Sequence, residues 1–104
     1  MEFNRLLKLP LDSNSSIFLF GPRGTGKTTW LRSHLPEALY LDLLEYPLYE
    51  RLLLNPKELS VIIPQNFTEW VIIDEVQRIP ELLNEVHRLI ESRKLRFILT
   101  GSSA

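Results

Sequence analysis

The densest chemical signal in the chain is Gly21-Pro22-Arg23-Gly24-Thr25-Gly26-Lys27-Thr28, which fits the pattern G-x-x-x-x-G-K-[ST] at every fixed position. A loop of this kind binds phosphate. Its glycines let the backbone approach phosphate oxygens where a Cβ would stand in the way, so that successive N–H groups cradle the anion. Lys27 is the candidate to reach the β and γ phosphates, and the Thr28 hydroxyl is the candidate ligand for Mg²⁺. Thr29 completes the binding set. Arg23 has two readings, a phosphate contact or a side chain in water, and the residues leave both open. Without phosphate chemistry, the same stretch would be a glycine-rich turn with Lys27 as a surface cation.

A second signal is Trp70-Val71-Ile72-Ile73-Asp74-Glu75, an apolar run closed by two carboxylates. The run suits a buried strand, and its end is the ligand-bearing edge of a parallel sheet. It resembles the Walker B segment of hydrolysing P-loop proteins. In that role Asp74 holds Mg²⁺, usually through water, and Glu75 orients the water that attacks the γ-phosphate. The competing reading is an acidic pair at a helix start, favoured by the helix dipole.

A third is Arg96-Phe97-Ile98-Leu99-Thr100, a strand followed by Gly101-Ser102-Ser103. Thr100 is the first candidate, and Ser102 the second, to sense the γ-phosphate or the attacking water if this strand lies between the first and third. A Gly-Ser turn closing a strand is an equal alternative. The catalytic candidates are therefore Lys27, Glu75 and Thr100, and the metal candidates are Thr28 and Asp74. Gln77 and Arg78 either face the nucleotide or cap a loop, and stay outside the catalytic set. Asp42 and His87 read more simply, as a turn or cap residue and a surface histidine.

These residues need strands and helices to hold them. Ser16-Ile17-Phe18-Leu19-Phe20 suits a buried strand leading into the loop, and residues 27–35 suit a helix that Pro36 stops. Ala38-Leu39-Tyr40-Leu41-Asp42 reads as a second strand. Residues 46–59 are Leu-rich and helical, with Pro47 at the start and Asn55-Pro56 able to interrupt, so that Leu48, Leu52 and Leu59 share a buried face. Residues 60–69 contain either a short helical turn or a loop. After Pro80, the residues Leu82, Leu83, Val86, Leu89 and Ile90 recur at helical spacing, with Glu81, Glu85, Arg88 and Glu91 on the remaining face. Residues 1–11 read as a lead-in packed beside the first strand, and Asp12-Ser13-Asn14-Ser15 as a polar turn.

Composition narrows the function classes. The chain has 104 residues, the length of one domain, with a formal net charge of −1, which gives no bulk attraction to nucleic acid or an anionic membrane. The absence of cysteine removes disulfides, thiolate metal sites and cysteine nucleophiles. No run approaches a membrane span or a signal-peptide core, so the default expectation is cytoplasmic.

Together GPRGTGKTT, VIIDEVQRIP and FILTGSS resemble the AAA+-type ATPase domain of a widespread prokaryotic family, whose members join it to a less characterised C-terminal domain. The resemblance covers residues 17–104. It implies an α/β fold, the P-loop NTPase three-layer sandwich, with a mainly parallel sheet whose fourth strand is inserted between the first and third. It implies ATP and Mg²⁺ as cofactors, hydrolysis by in-line attack of water, and homo-oligomers in the complete protein. It further implies that residues 1–104 are a partial core of about four strands, because relatives continue with a fifth strand, the arginine-finger and sensor-2 region, and the C-terminal domain.

Arg93 and Arg96 precede the fourth strand, on the side away from the phosphates, and do not replace the finger in cis. On this expectation binding outlasts hydrolysis, since loss of a charge-stabilising arginine costs about 10³ to 10⁵ in turnover. The strand edge left open favours self-association. A small-molecule kinase shares the phosphate loop, but carboxylates directly after the apolar run favour an ATPase. A non-hydrolysing, nucleotide-controlled interaction module or a truncated remnant is the other alternative. The residues name no nucleic-acid or protein partner, and ATP over GTP rests on the resemblance.

Overall fold

Four short apolar runs become four parallel strands, and parallel neighbours require the crossover helices that lie between them in sequence. The computed structural model describes residues 17–21 and 27–102. In chain order the elements are β1 (Ile17–Gly21), α1 (Lys27–His34), β2 (Leu39–Asp42), α2 (Tyr46–Leu54) and α3 (Glu58–Ile62). There follow β3 (Trp70–Asp74), a 3₁₀ turn (Val76–Arg78), α4 (Leu82–Arg93) and β4 (Arg96–Ser102). The sheet order is β1-β4-β3-β2 with every pair parallel, so β4 is inserted between β1 and β3 as the resemblance implied.

Strand alternation sorts the core into two layers. Ile17, Trp70, Ile72 and Ile98 face one side, where Leu31 of α1 packs on them with Trp30, Leu35 and Tyr40 at the margin. Val71, Ile73, Phe97 and Leu99 face the other, against Leu52, Leu59, Ile63, Leu82, Val86 and Leu89 from α2, α3 and α4. The result is an α/β/α sandwich. Every residue of β3 is buried, which explains why its sequence is continuously apolar rather than alternating. Among the described residues no helix is long and apolar enough to cross a membrane.

The elements differ from the sequence reading in two places, on α4 and at the end of β4. The Leu-rich stretch divides at Asn55-Pro56 as those residues allowed: Asn55 takes extended geometry, its side chain accepting from Lys57 N–H at 3.2 Å, and α3 starts at Glu58 and runs into 60–69 as a short helical turn. On α4 the buried set is Leu82, Glu85, Val86 and Leu89, a spacing of 0, 3, 4 and 7. Leu83 falls outside that stripe and is exposed, while Glu85 falls on it, is buried, and accepts from the Arg88 guanidinium at 2.5 Å. That contact and the charge of Glu85 hold Arg88 above its ordinary pKa. The second difference is β4, which continues through Gly101 and Ser102 because these pair with Phe20 and Gly21 of β1. Where a Gly-Ser turn was one alternative, Gly101 and Ser102 are strand.

Candidate functional site

In a sheet of parallel strands all carboxyl ends lie along one edge, and this edge carries the candidate residues. β1 ends at Gly21, β2 at Asp42, β3 at Asp74 and β4 at Ser102. Helix α1 opens at Lys27 on the chain returning from β1, so its N-terminus belongs to the same end of the fold. Positions Pro22, Arg23, Gly24, Thr25 and Gly26 lie outside the described residues, as do the side chains of Gly21, Lys27, Thr28 and Ser102 and all of residues 1–16 and 103–104. Thr29 is exposed on α1.

Asp74 closes β3 with 7% of its surface exposed. Two hydroxyls from flanking strands hold its carboxylate. Tyr40 of β2 donates to Oδ2 at 2.5 Å, and Thr100 of β4 donates to Oδ1. The register accounts for this: Tyr40 stands opposite Ile72 and Ile98 stands opposite Ile72, so Tyr40, Asp74 and Thr100 share a sheet face. A carboxylate accepting two hydroxyl protons is fixed in rotation as well as in place.

Glu75 leaves the strand at once. Its backbone is in the left-handed region, φ 62° and ψ 45°, and its N–H donates to Thr100 Oγ1 at 3.3 Å. Thr100, 1% exposed, thus accepts from one acidic residue's backbone and donates to the other's side chain. The Glu75 side chain is buried, and its Oε1 accepts from Gln77 Nε2 at 2.6 Å. Left-handed geometry costs a residue with a Cβ on the order of 1–2 kcal/mol, and such strain collects at functional sites.

A model of the AAA domain family matches residues 13–104. The chain belongs to the AAA domain family. Among curated proteins the comparison finds no match. Membership brings nucleotide binding on a P-loop fold, in keeping with the parallel sheet and the helix that opens at Lys27.

The other sequence candidates of this AAA domain fall into clear positions. Asp42 is a turn residue: its Oδ1 accepts from Leu44 N–H at 2.9 Å, an Asx turn that leads into α2. Arg78 donates to the Leu43 carbonyl at 3.1 Å and lies 4.2 Å from the Tyr49 ring centroid, tying the turn after β3 to the β2–α2 connection. His87 is exposed on α4. Arg93 donates to the carbonyls of Ser60, Pro64 and Gln65, and Arg96 to that of Thr68 while stacking on Trp70, all at the amino ends of the strands.

Tyr40 and the Glu75–Gln77 contact were missed from sequence. For Tyr40 a signal exists, since alternation puts it on the face of Asp42 and a half-buried tyrosine hydroxyl usually has a partner. For Gln77 there is none, because the bond depends on the left-handed turn, which the residue type at position 75 does not announce.

Proposed function

We propose that this AAA domain binds ATP with Mg²⁺ and hydrolyses it, with the chain acting as the ATPase core. The observation that carries the reading is Asp74, a buried carboxylate at the end of β3 beside β4, on the edge where β1 runs toward the phosphate-loop sequence. Lys27 and the backbone of residues 21–28 take the phosphates, and Thr28 and Asp74 hold the ion. The donor set fits Mg²⁺, which takes one or two carboxylates together with substrate phosphates rather than an all-protein cage. When bound, Mg²⁺ neutralises charge on the β and γ phosphates.

The chain's own residues do the rest. Glu75 orients the attacking water by accepting its proton in a hydrogen bond, and Gln77 fixes the Glu75 carboxylate that does so. Thr100 keeps Asp74 and the Glu75 backbone in register, and its hydroxyl reaches the water or the γ-phosphate only by turning away from Asp74.

The test is a calorimetric titration with Mg-ATP alongside measurement of phosphate release. Wild type is expected to bind saturably and release phosphate, Lys27→Ala to lose binding, and Glu75→Gln to bind ATP while release falls at least about 10²-fold. Equal phosphate release by wild type and Glu75→Gln would overturn the hydrolytic assignment. Binding unaffected by Lys27→Ala would overturn the site.

A further inference from the structure

We propose that Tyr40 is a positioning residue that sets Asp74 for the Mg²⁺ of the bound nucleotide, and that Arg32 holds Tyr40 in place. The inference rests on the nucleotide site proposed above and names residues outside its motifs. Tyr40 stands on β2, an edge strand among the described residues, and its hydroxyl crosses to the central strand to meet Asp74 Oδ2 at 2.5 Å. A phenol donating to a carboxylate makes a charge-assisted bond, which is shorter and stronger than a neutral one. With Thr100 on Oδ1, the two hydroxyls grip the carboxylate from opposite neighbouring strands.

The tyrosine ring needs its own support, because β2 has a neighbour on one side only among the described residues and a cavity of about 190 Å³ borders the ring. Arg32 supplies it, with its guanidinium carbon 4.1 Å from the ring centroid. Arg32 belongs to α1, the helix that begins at Lys27. The order of contacts is therefore α1, Arg32, Tyr40, Asp74, which links the helix behind the phosphate loop to the carboxylate of the neighbouring strand. Partners that orient metal-binding carboxylates are commonly worth 10- to 100-fold in metal affinity or activity.

The experiment compares ATP affinity in Mg²⁺ with ATP affinity in EDTA, so that the Mg²⁺-dependent gain is read as binding and not as turnover. Tyr40→Phe keeps the ring and removes only the hydroxyl. It is expected to reduce the gain about tenfold while leaving affinity in EDTA at the wild-type value. In an Asp74→Asn background the same substitution is expected to change nothing further. Arg32→Met, which keeps the hydroxyl, is expected to reduce the gain by a smaller factor and serves as the second variant if Tyr40→Phe is poorly folded by its thermal transition.

A Tyr40→Phe protein that melts like wild type and keeps the full gain would overturn the proposal, as would an unchanged gain in Arg32→Met where Tyr40→Phe does not fold. An equal loss with and without Mg²⁺ would assign Tyr40 to general stability of the site and also overturn it. A wild type that binds no ATP in either condition overturns the nucleotide-site reading itself, and this inference with it.

Discussion

Removing the Thr100 hydroxyl without changing side-chain shape should destabilise the fold far more than its size suggests. Valine matches threonine in volume and suits a buried strand, so Thr100→Val leaves the packing of β4 in place. What it removes is one group with two duties. The Glu75 N–H loses its acceptor at 3.3 Å, in a position where Thr100 is 1% exposed and Glu75 3% exposed. An orphaned buried donor costs about 1–3 kcal/mol, and a lost hydrogen bond to a charged group about 1.5–3 kcal/mol.

The extra buried methyl offsets about 1 kcal/mol, and the Tyr40 hydroxyl still holds Asp74, so the net loss is about 2–4 kcal/mol. Against a total of about 5–15 kcal/mol for a natural domain, this is a large share. Urea unfolding followed by the fluorescence of Trp30 and Trp70 measures it, with Thr100→Ser as the control that keeps both bonds and loses only a methyl, about 1 kcal/mol. A valine variant within about 0.5 kcal/mol of wild type, or a serine variant less stable than the valine one, would refute the reasoning, since surface-like tolerance of that size is not compatible with a buried bifunctional hydroxyl.

Two further outcomes follow from the same geometry. Lys94 ends α4 in the left-handed region at φ 57° with its side chain exposed, a position that favours glycine, so Lys94→Gly should stabilise by about 0.5–1 kcal/mol and raise the melting temperature by roughly 2–8 °C in a thermal scan. Arg93 ties the carbonyls of Ser60, Pro64 and Gln65 to α4, so Arg93→Ala should cost about 1–3 kcal/mol and speed hydrogen exchange of amides in 60–67 more than those of β3. Uniform acceleration across both segments would show that the arginine does not act locally.

The fold was legible because its strands are short apolar runs with few competing readings. Trp70 to Asp74 is too short for a helix and too apolar for a surface strand, and Pro36 and Pro80 bracket helices where the backbone demands it. The strand order was not legible from periodicity. It depends on which strand fills the gap between β1 and β3, and only the resemblance supplied that. On α4 the misread residues, Leu83 and Glu85, differ from the pattern by one position, because hydropathy alone placed a leucine inward and a glutamate outward. The buried stripe at 82, 85, 86 and 89 overrides both, and Arg88 supplies Glu85 with a partner. Of the candidate site, the carboxylates were legible as residue types at a strand end, whereas their hydroxyl partners come from 26 and 34 residues away in sequence.

Two adjacent carboxylates at a strand end do not by themselves make a two-part site, since alternation would send them to opposite faces of the sheet. Here the backbone breaks the alternation at Glu75, and the break is held from both sides: Thr100 takes the N–H that leaves the strand, and Arg78 N–H donates to the Glu75 carbonyl at 3.1 Å. The Arg78 guanidinium then fastens the same turn to Leu43, whose own N–H donates to the Asp74 carbonyl at 3.1 Å. The Glu75 N–H, the Glu75 carbonyl and the Asp74 carbonyl thus have partners on β4, within the turn and just beyond β2. The strained residue persists because its surroundings over-determine it. Asp74 is set by strand register and two hydroxyls, Glu75 by a turn and Gln77, so the two carboxylates are placed by separate devices that share Thr100.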